Sequence, residues 1–154
     1  MRDRWLPVGI VAGVLFAINA VIRFIVWQVA PKNDTKQIAL GFVGLGLVAL
    51  VMAIAGYRWG RRYPMSRVTP DLSVVVAIAC ALTVLVGPFI GGTRPFKEGA
   101  GLFFGEIWHY LAFAGGGAVL GILVLMALGR GYRAQALKRY AQTRLSKPRK
   151  VVRR

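Results

Sequence analysis

Acidic side chains are scarce in this chain, with 5 Asp and Glu against 21 Lys and Arg in 154 residues, and there is a single histidine and a single cysteine. Each shortage excludes a class of chemistry. One cysteine, Cys80, permits neither an intrachain disulfide nor a cysteine-based zinc cluster. It lies inside the apolar run DLSVVVAIACALTVLV and reads as a small, inert packing residue. One histidine, His109, rules out a bis-histidine haem within one chain. The acids are Asp3, Asp34, Asp71, Glu98 and Glu106, too few and too scattered for a dinuclear carboxylate centre. No metal, no other cofactor and no enzymatic activity are expected.

What the chain has in abundance is apolar sequence. Hydrophobic residues make up 56%, charged residues only 17%, and the mean hydropathy is +0.58, which is too apolar for an ordinary soluble domain of this length. A hydrocarbon core takes roughly 20 helical residues to cross. Runs that meet this requirement cover 6–30, 38–57, 72–90 and 107–129. Pro31 closes the first; Thr69 and Pro70 read as the cap and first turn of the third. The first run is interrupted by Asn19 and Arg23 and lacks a small-residue cleavage site after it, so it reads as a retained helix rather than a signal peptide. The expected fold is all-α: a polytopic membrane protein with four transmembrane helices in a compact antiparallel bundle over 1–129, followed by a basic tail over 130–154.

Orientation follows from the basic residues, because short loops rich in Lys and Arg stay on the cytoplasmic side. Arg2, Arg4, Arg58, Arg61, Arg62, Arg67 and every basic residue of the tail fall on one side, whereas Lys32, Lys36, Arg94 and Lys97 fall on the other. The expected location is the cell (plasma) membrane, with both termini cytoplasmic. Trp5, Trp27, Trp59 and Trp108 lie near span ends, where indole prefers the interface. The two hairpins resemble each other faintly, each with a proline near its entry, Pro7 and Pro70.

Glycine is plentiful at 19 residues, and pairs such as Gly9 with Gly13, Gly56 with Gly60 and Gly117 with Gly121 have the four-residue spacing that lets helix backbones approach. The run Gly115, Gly116, Gly117 marks a close contact, a kink or a deformable point. Pro88 and the glycines around it predict a bent or frayed end to the third helix. After it comes a loop that mixes Phe96, Leu102, Phe103 and Phe104 with Arg94, Lys97 and Glu98, a composition suited to the headgroup region.

Candidate site residues emerge from depth. Glu106 and His109 form a single Glu-x-x-His at the start of the fourth span. Arg23 lies near the end of the first span, roughly 10 Å below the same boundary, and Asn19 precedes it by one helical turn. An arginine in hydrocarbon costs on the order of 3 kcal/mol or more, so it faces a partner, a cavity or the interface. Asn19, Arg23, Glu106 and His109 are therefore the candidate intramembrane polar cluster, either a clasp between helices or a site for an ion, a proton or a headgroup.

The tail places Tyr132, Ala136 and Tyr140 on one helical stripe, with Leu137, Ala141 and Leu145 beside it. It reads as a continuation of the fourth helix onto the membrane surface, ending at Pro148 in a disordered tip. Arg133, Lys138, Arg139, Arg144, Lys147, Arg149 and Lys150 are the candidate contacts to anionic lipid headgroups. No nucleic-acid reader motif accompanies this charge, and no nucleic acid is expected as a partner. Two functions fit: an accessory, assembly or scaffold subunit of a larger membrane complex, or a small oligomeric carrier or channel for an anionic or protonatable solute. The partners expected are the anionic lipid bilayer and either a membrane protein or further copies of the chain.

Overall fold

The computed structural model describes residues 2–29, 33–90, 92 and 99–146, with side chains over 5–29, 33–90, 92 and 99–143. The described residues are almost all helical, without a strand: α1 Arg2–Val29, α2 Asp34–Arg62, α3 Met65–Leu85, the single turn α4 Gly87–Ile90, α5 Ala100–Ala127 and α6 Tyr132–Ser146. Four of them, α1, α2, α3 and α5, are long and apolar enough to cross a membrane.

The helices outrun the apolar runs that predict them. α2 has 29 residues, about 43 Å at 1.5 Å per residue, against a hydrocarbon core of about 30 Å. Its start lies at Asn33, whose side chain accepts from the Lys36 amide at 3.1 Å. Its last turn carries Arg61 and Arg62, which suit the negative end of the helix dipole.

Only Tyr63 and Pro64 separate α2 from α3. Tyr63 is extended, as the residue before a proline tends to be, and Pro64 stands at the N-cap position of α3. This corrects the expected start of the third helix at Thr69 and Pro70. Pro70 lies within α3, and the Thr69 hydroxyl donates back to the Met65 carbonyl at 3.0 Å instead of capping. A helix opened by Pro64 already has its first turn built when the chain reaches Pro70, so Pro70 removes one bond and does not set the boundary.

At its other end α3 stops at Leu85, and α4 follows as a separate turn containing Pro88. The predicted break is present, since Pro88 has no amide to continue the ladder. α5 begins at Ala100, two turns earlier than hydropathy marks, so Phe103, Phe104 and Glu106 are helical. Gly115, Gly116 and Gly117 lie inside α5 without interrupting it.

The tail does not continue α5. Gly129 has φ +60, its amide donates to the Met126 carbonyl at 2.9 Å, and the Arg130 amide donates to Leu125 at 3.2 Å. This is a Schellman ending, which needs a left-handed residue at the position after the cap and is cheapest with glycine. α6 is therefore a separate helix, and it packs on α2.

Helix directions can be read from facing residues. Phe42 meets Phe113 with ring centroids 6.2 Å apart, Ala49 faces Gly117, Ala53 faces Gly121 and Gly60 faces Leu125, so α2 and α5 run the same way. Among the described helices this like-directed pair packs the most extensively. A Cβ on Gly56 would lie 2.7 Å from the Ala118 carbonyl oxygen, and one on Gly117 or Gly121 would run into the backbone of Ala49 or Ala53. Glycine here removes the side chain that would hold the backbones apart. α1 and α3 form a second like-directed pair, with Val8 near Val68 at one end and Arg23 against Gly87 at the other. Equivalent helices of the two hairpins thus lie side by side.

The interior is filled by Leu15, Val48, Met52, Val75, Ala79, Tyr110 and Ala114, with Cys80 buried among them at 7% exposure. Leu47, Leu50, Ile54, Leu120, Leu123 and Val124 are exposed, as lipid-facing residues are. One end of the helices, the basic end, carries Arg58, Arg61, Arg62, Arg67 and α6; the far end carries Arg23, Gly87 and Glu106.

Candidate functional site

At the far end, Arg23 of α1 donates from Nη2 to Glu106 Oε1 of α5 and forms an ion pair with it. α1 and α5 do not pack directly against each other there, so the long arginine side chain spans the gap between them. It passes over the start of α4. A Cβ on Gly87 would lie 2.7 Å from Arg23 Nε and 3.2 Å from its Cζ, so the missing side chain of Gly87 makes the channel through which Arg23 reaches its partner. Arg23 is 27% exposed and Glu106 38%. Both charges are half withdrawn from their surroundings, and each is compensated by the other.

The other expected members of the cluster are turned to their own helices. The Asn19 side-chain amide donates to the Leu15 carbonyl at 3.1 Å. His109 is exposed, and its Nδ1 lies 2.7 Å from the Gly105 carbonyl, one turn back on α5. Of the four candidates, Arg23 and Glu106 meet; Asn19 and His109 flank them without joining the pair.

One turn deeper lies a layer that sequence reasoning missed. Tyr110 follows Glu106 by a turn and is 1% exposed, and Thr83 precedes Gly87 by a turn and is 2% exposed. Their hydroxyls face each other across the α3–α5 interface, short of full hydrogen-bond geometry. Tyr110 carries no formal charge and sits in an apolar run, so nothing in its local sequence marks it as polar core.

At the basic end, the side chains of Arg58, Arg61, Arg62 and Arg139 line a cavity of about 860 Å³ together with Tyr57, Tyr132, Gln135 and Ala136. α2 supplies Tyr57, Arg58, Arg61 and Arg62 from its last turns and α6 supplies the rest. Of the expected lipid contacts, Arg139 lies in this cavity, Arg133 borders a neighbouring cleft with Met65 and Met126, and Lys138 is exposed on α6. Arg144 belongs to the last turn of α6, while Lys147, Arg149 and Lys150 lie outside the described residues. In the sequence Arg58, Arg61 and Arg62 register only as a topology signal. Their convergence with α6 depends on the break at Gly129, which turns the chain back toward α2.

Beside this cavity, Arg67 stacks over the Tyr63 ring at 4.3 Å and lies 3.8 Å from Asp71. Asp71 is thereby engaged one helical turn away on α3. Comparison with protein-family models, with curated proteins and with solved structures returns no match for this chain.

Proposed function

We propose that this protein is a non-enzymatic accessory or scaffold subunit, held in the plasma membrane as a compact bundle with both termini cytoplasmic, and that it packs a glycine-lined helix face against another membrane protein. The observation that supports this reading is the division of labour among its glycines. Gly56, Gly60, Gly117 and Gly121 are filled by neighbours within the chain, whereas Gly9 and Gly13 on α1 have nothing within 4 Å of where a Cβ would stand. With exposed Ala17 they make a small-residue stripe at four-residue spacing facing away from the chain. The same device already joins α2 to α5, and the occupant that fits it is another transmembrane helix.

Purified in mild detergent from its own membrane, the protein is expected at fixed stoichiometry with one membrane partner. Gly13→Leu should abolish that association and leave the melting temperature of the chain unchanged, because no intrachain neighbour is displaced. A lone homo-oligomer that moves a solute in liposomes would overturn the reading in favour of a carrier. The ion pair offers a carrier little, because Arg23 and Glu106 are already spent on each other.

The orientation rests on the basic end, which gathers Arg58, Arg61, Arg62, Arg67 and the basic α6. A cysteine at Asn33, with Cys80 replaced by alanine, should react with a membrane-impermeant maleimide added outside cells, and a reporter fused after Arg154 should read cytoplasmic. Labelling of Asn33→Cys only after permeabilisation would reverse the topology. The basic tail adds a diffuse, salt-screened attraction to anionic lipid.

A further inference from the structure

We propose that the arginine-lined cavity between the end of α2 and α6 is a stoichiometric binding site for the phosphate group of an anionic phospholipid, distinct from the diffuse attraction of the tail. Its walls carry Arg58, Arg61, Arg62 and Arg139, and the described residues that line it include no acid to neutralise them. All of these cations are arginine. A guanidinium stays charged at any physiological pH and presents a planar fork of donors that matches two phosphate oxygens at once, which an ammonium cannot do. Tyr57 and Tyr132 bring hydroxyl groups, and Gln135 an amide whose Nε2 is occupied by the Arg130 carbonyl at 2.8 Å, so its oxygen is oriented by that bond.

Position favours a lipid over a dissolved phosphate. The cavity begins where the lipid-facing side of α2 ends. Leu47, Leu50 and Ile54 are 41%, 56% and 52% exposed, and Arg58 and Arg61 follow Ile54 at the four- and seven-residue spacing that keeps them on the same helical face. An acyl chain lying along Leu47, Leu50 and Ile54 brings its own headgroup to Arg58 and Arg61. A free anion would gain the arginines but not this apolar track. At about 860 Å³ the cavity is also larger than one inorganic phosphate needs, and suits a headgroup with its glycerol. The inference depends on α2 crossing the bilayer but not on any protein partner.

The test uses the full chain in nanodiscs of phosphatidylcholine with increasing phosphatidylglycerol, counting retained lipids by native mass spectrometry. One phosphatidylglycerol per chain should survive delipidation by zwitterionic detergent. The charge-conserving double variant Arg61→Lys/Arg139→Lys should weaken that lipid about tenfold by loss of the paired guanidinium bonds, whereas Arg130→Lys/Arg133→Lys, outside the cavity, should not. Because both variants keep net charge and topology, equal retention by wild type and both variants would overturn the site while leaving the diffuse attraction standing. Equal loss in both variants would overturn it too. A third arm adds millimolar inorganic phosphate at constant ionic strength: retention of the lipid supports the headgroup assignment, and displacement would overturn it in favour of a free phosphate ligand. Circular dichroism of each variant keeps a misfolded chain from being counted as a loss.

Discussion

Gly121→Ala should destabilise the protein by about 1–3 kcal/mol, the usual cost of overpacking, and Gly121→Leu should prevent the α2–α5 pair from forming. Even the first carbon of a side chain at this position would run into the Ala53 carbonyl and Cα. A flexible neighbour could rotate away, but a helix backbone can yield only by moving the whole helix. The contact continues through Gly117 against Ala49 and Gly56 against Ala118, so separating the helices at one point loosens the others. Gly116→Ala is the control. Nothing lies within 4 Å of its Cβ position, and replacing glycine by alanine inside a helix favours the helix by up to about 1 kcal/mol. Two alanines five positions apart on the same helix should therefore shift thermal unfolding in detergent in opposite directions, or one downward and one not at all. Equal shifts would show that α2 and α5 do not meet in this register.

Breaking the Arg23–Glu106 pair is the second large effect expected. Removing either partner leaves one charge at the edge of the hydrocarbon without compensation. Exposed pairs contribute about 0–1 kcal/mol, and breaking a buried one costs about 3–5 kcal/mol. With Arg23 at 27% and Glu106 at 38% exposure, a value of about 2 kcal/mol for Arg23→Leu or Glu106→Gln lies between these limits. The combined variant should cost less than either single change, because no unpaired charge remains. A coupling near zero would mean that Arg23 snorkels alone to the interface.

Gly87→Leu probes the same pair through the backbone. Its side chain would occupy the space of Arg23 Nε and Cζ, so it should reproduce the destabilisation of Glu106→Gln without altering a charge, and should add little on top of it. Partner association measured on the combined Arg23 and Glu106 variant separates clasp from site. If stability is restored and association persists, the pair is a clasp; if association is lost from a stable protein, it is a site.

The all-helical class and the number of helices long and apolar enough to cross a membrane were legible in the sequence. These are one-dimensional properties: a hydrocarbon slab of set thickness selects runs of sufficient length, whatever their neighbours. Counting residues from the span ends also brought Arg23 within side-chain reach of Glu106, although 83 positions separate them. Helix ends were less legible because hydropathy marks the apolar part of a helix, while backbone hydrogen bonding continues into polar residues, as it does from Asn33 and onward to Arg62. Local chemistry misled at Thr69 and Pro70, where Pro64 had already opened the helix.

Only the tertiary structure decided which glycines are contacts and which are free, since Gly116 and Gly117 are neighbours in sequence yet face open space and the Ala49 backbone respectively. That difference is a matter of rotation about the helix axis relative to a partner, and a periodic pattern repeated in every span cannot specify the partner. The same holds for Asn19 and His109. They lie within about one helical turn of the ion pair along their helices, but each is hydrogen-bonded to its own helix, at the Leu15 and Gly105 carbonyls. The arginine cavity was hidden for a related reason: Arg58, Arg61 and Arg62 become walls only when the left-handed turn at Gly129 brings α6 back against α2, joining charges that the sequence lists far apart.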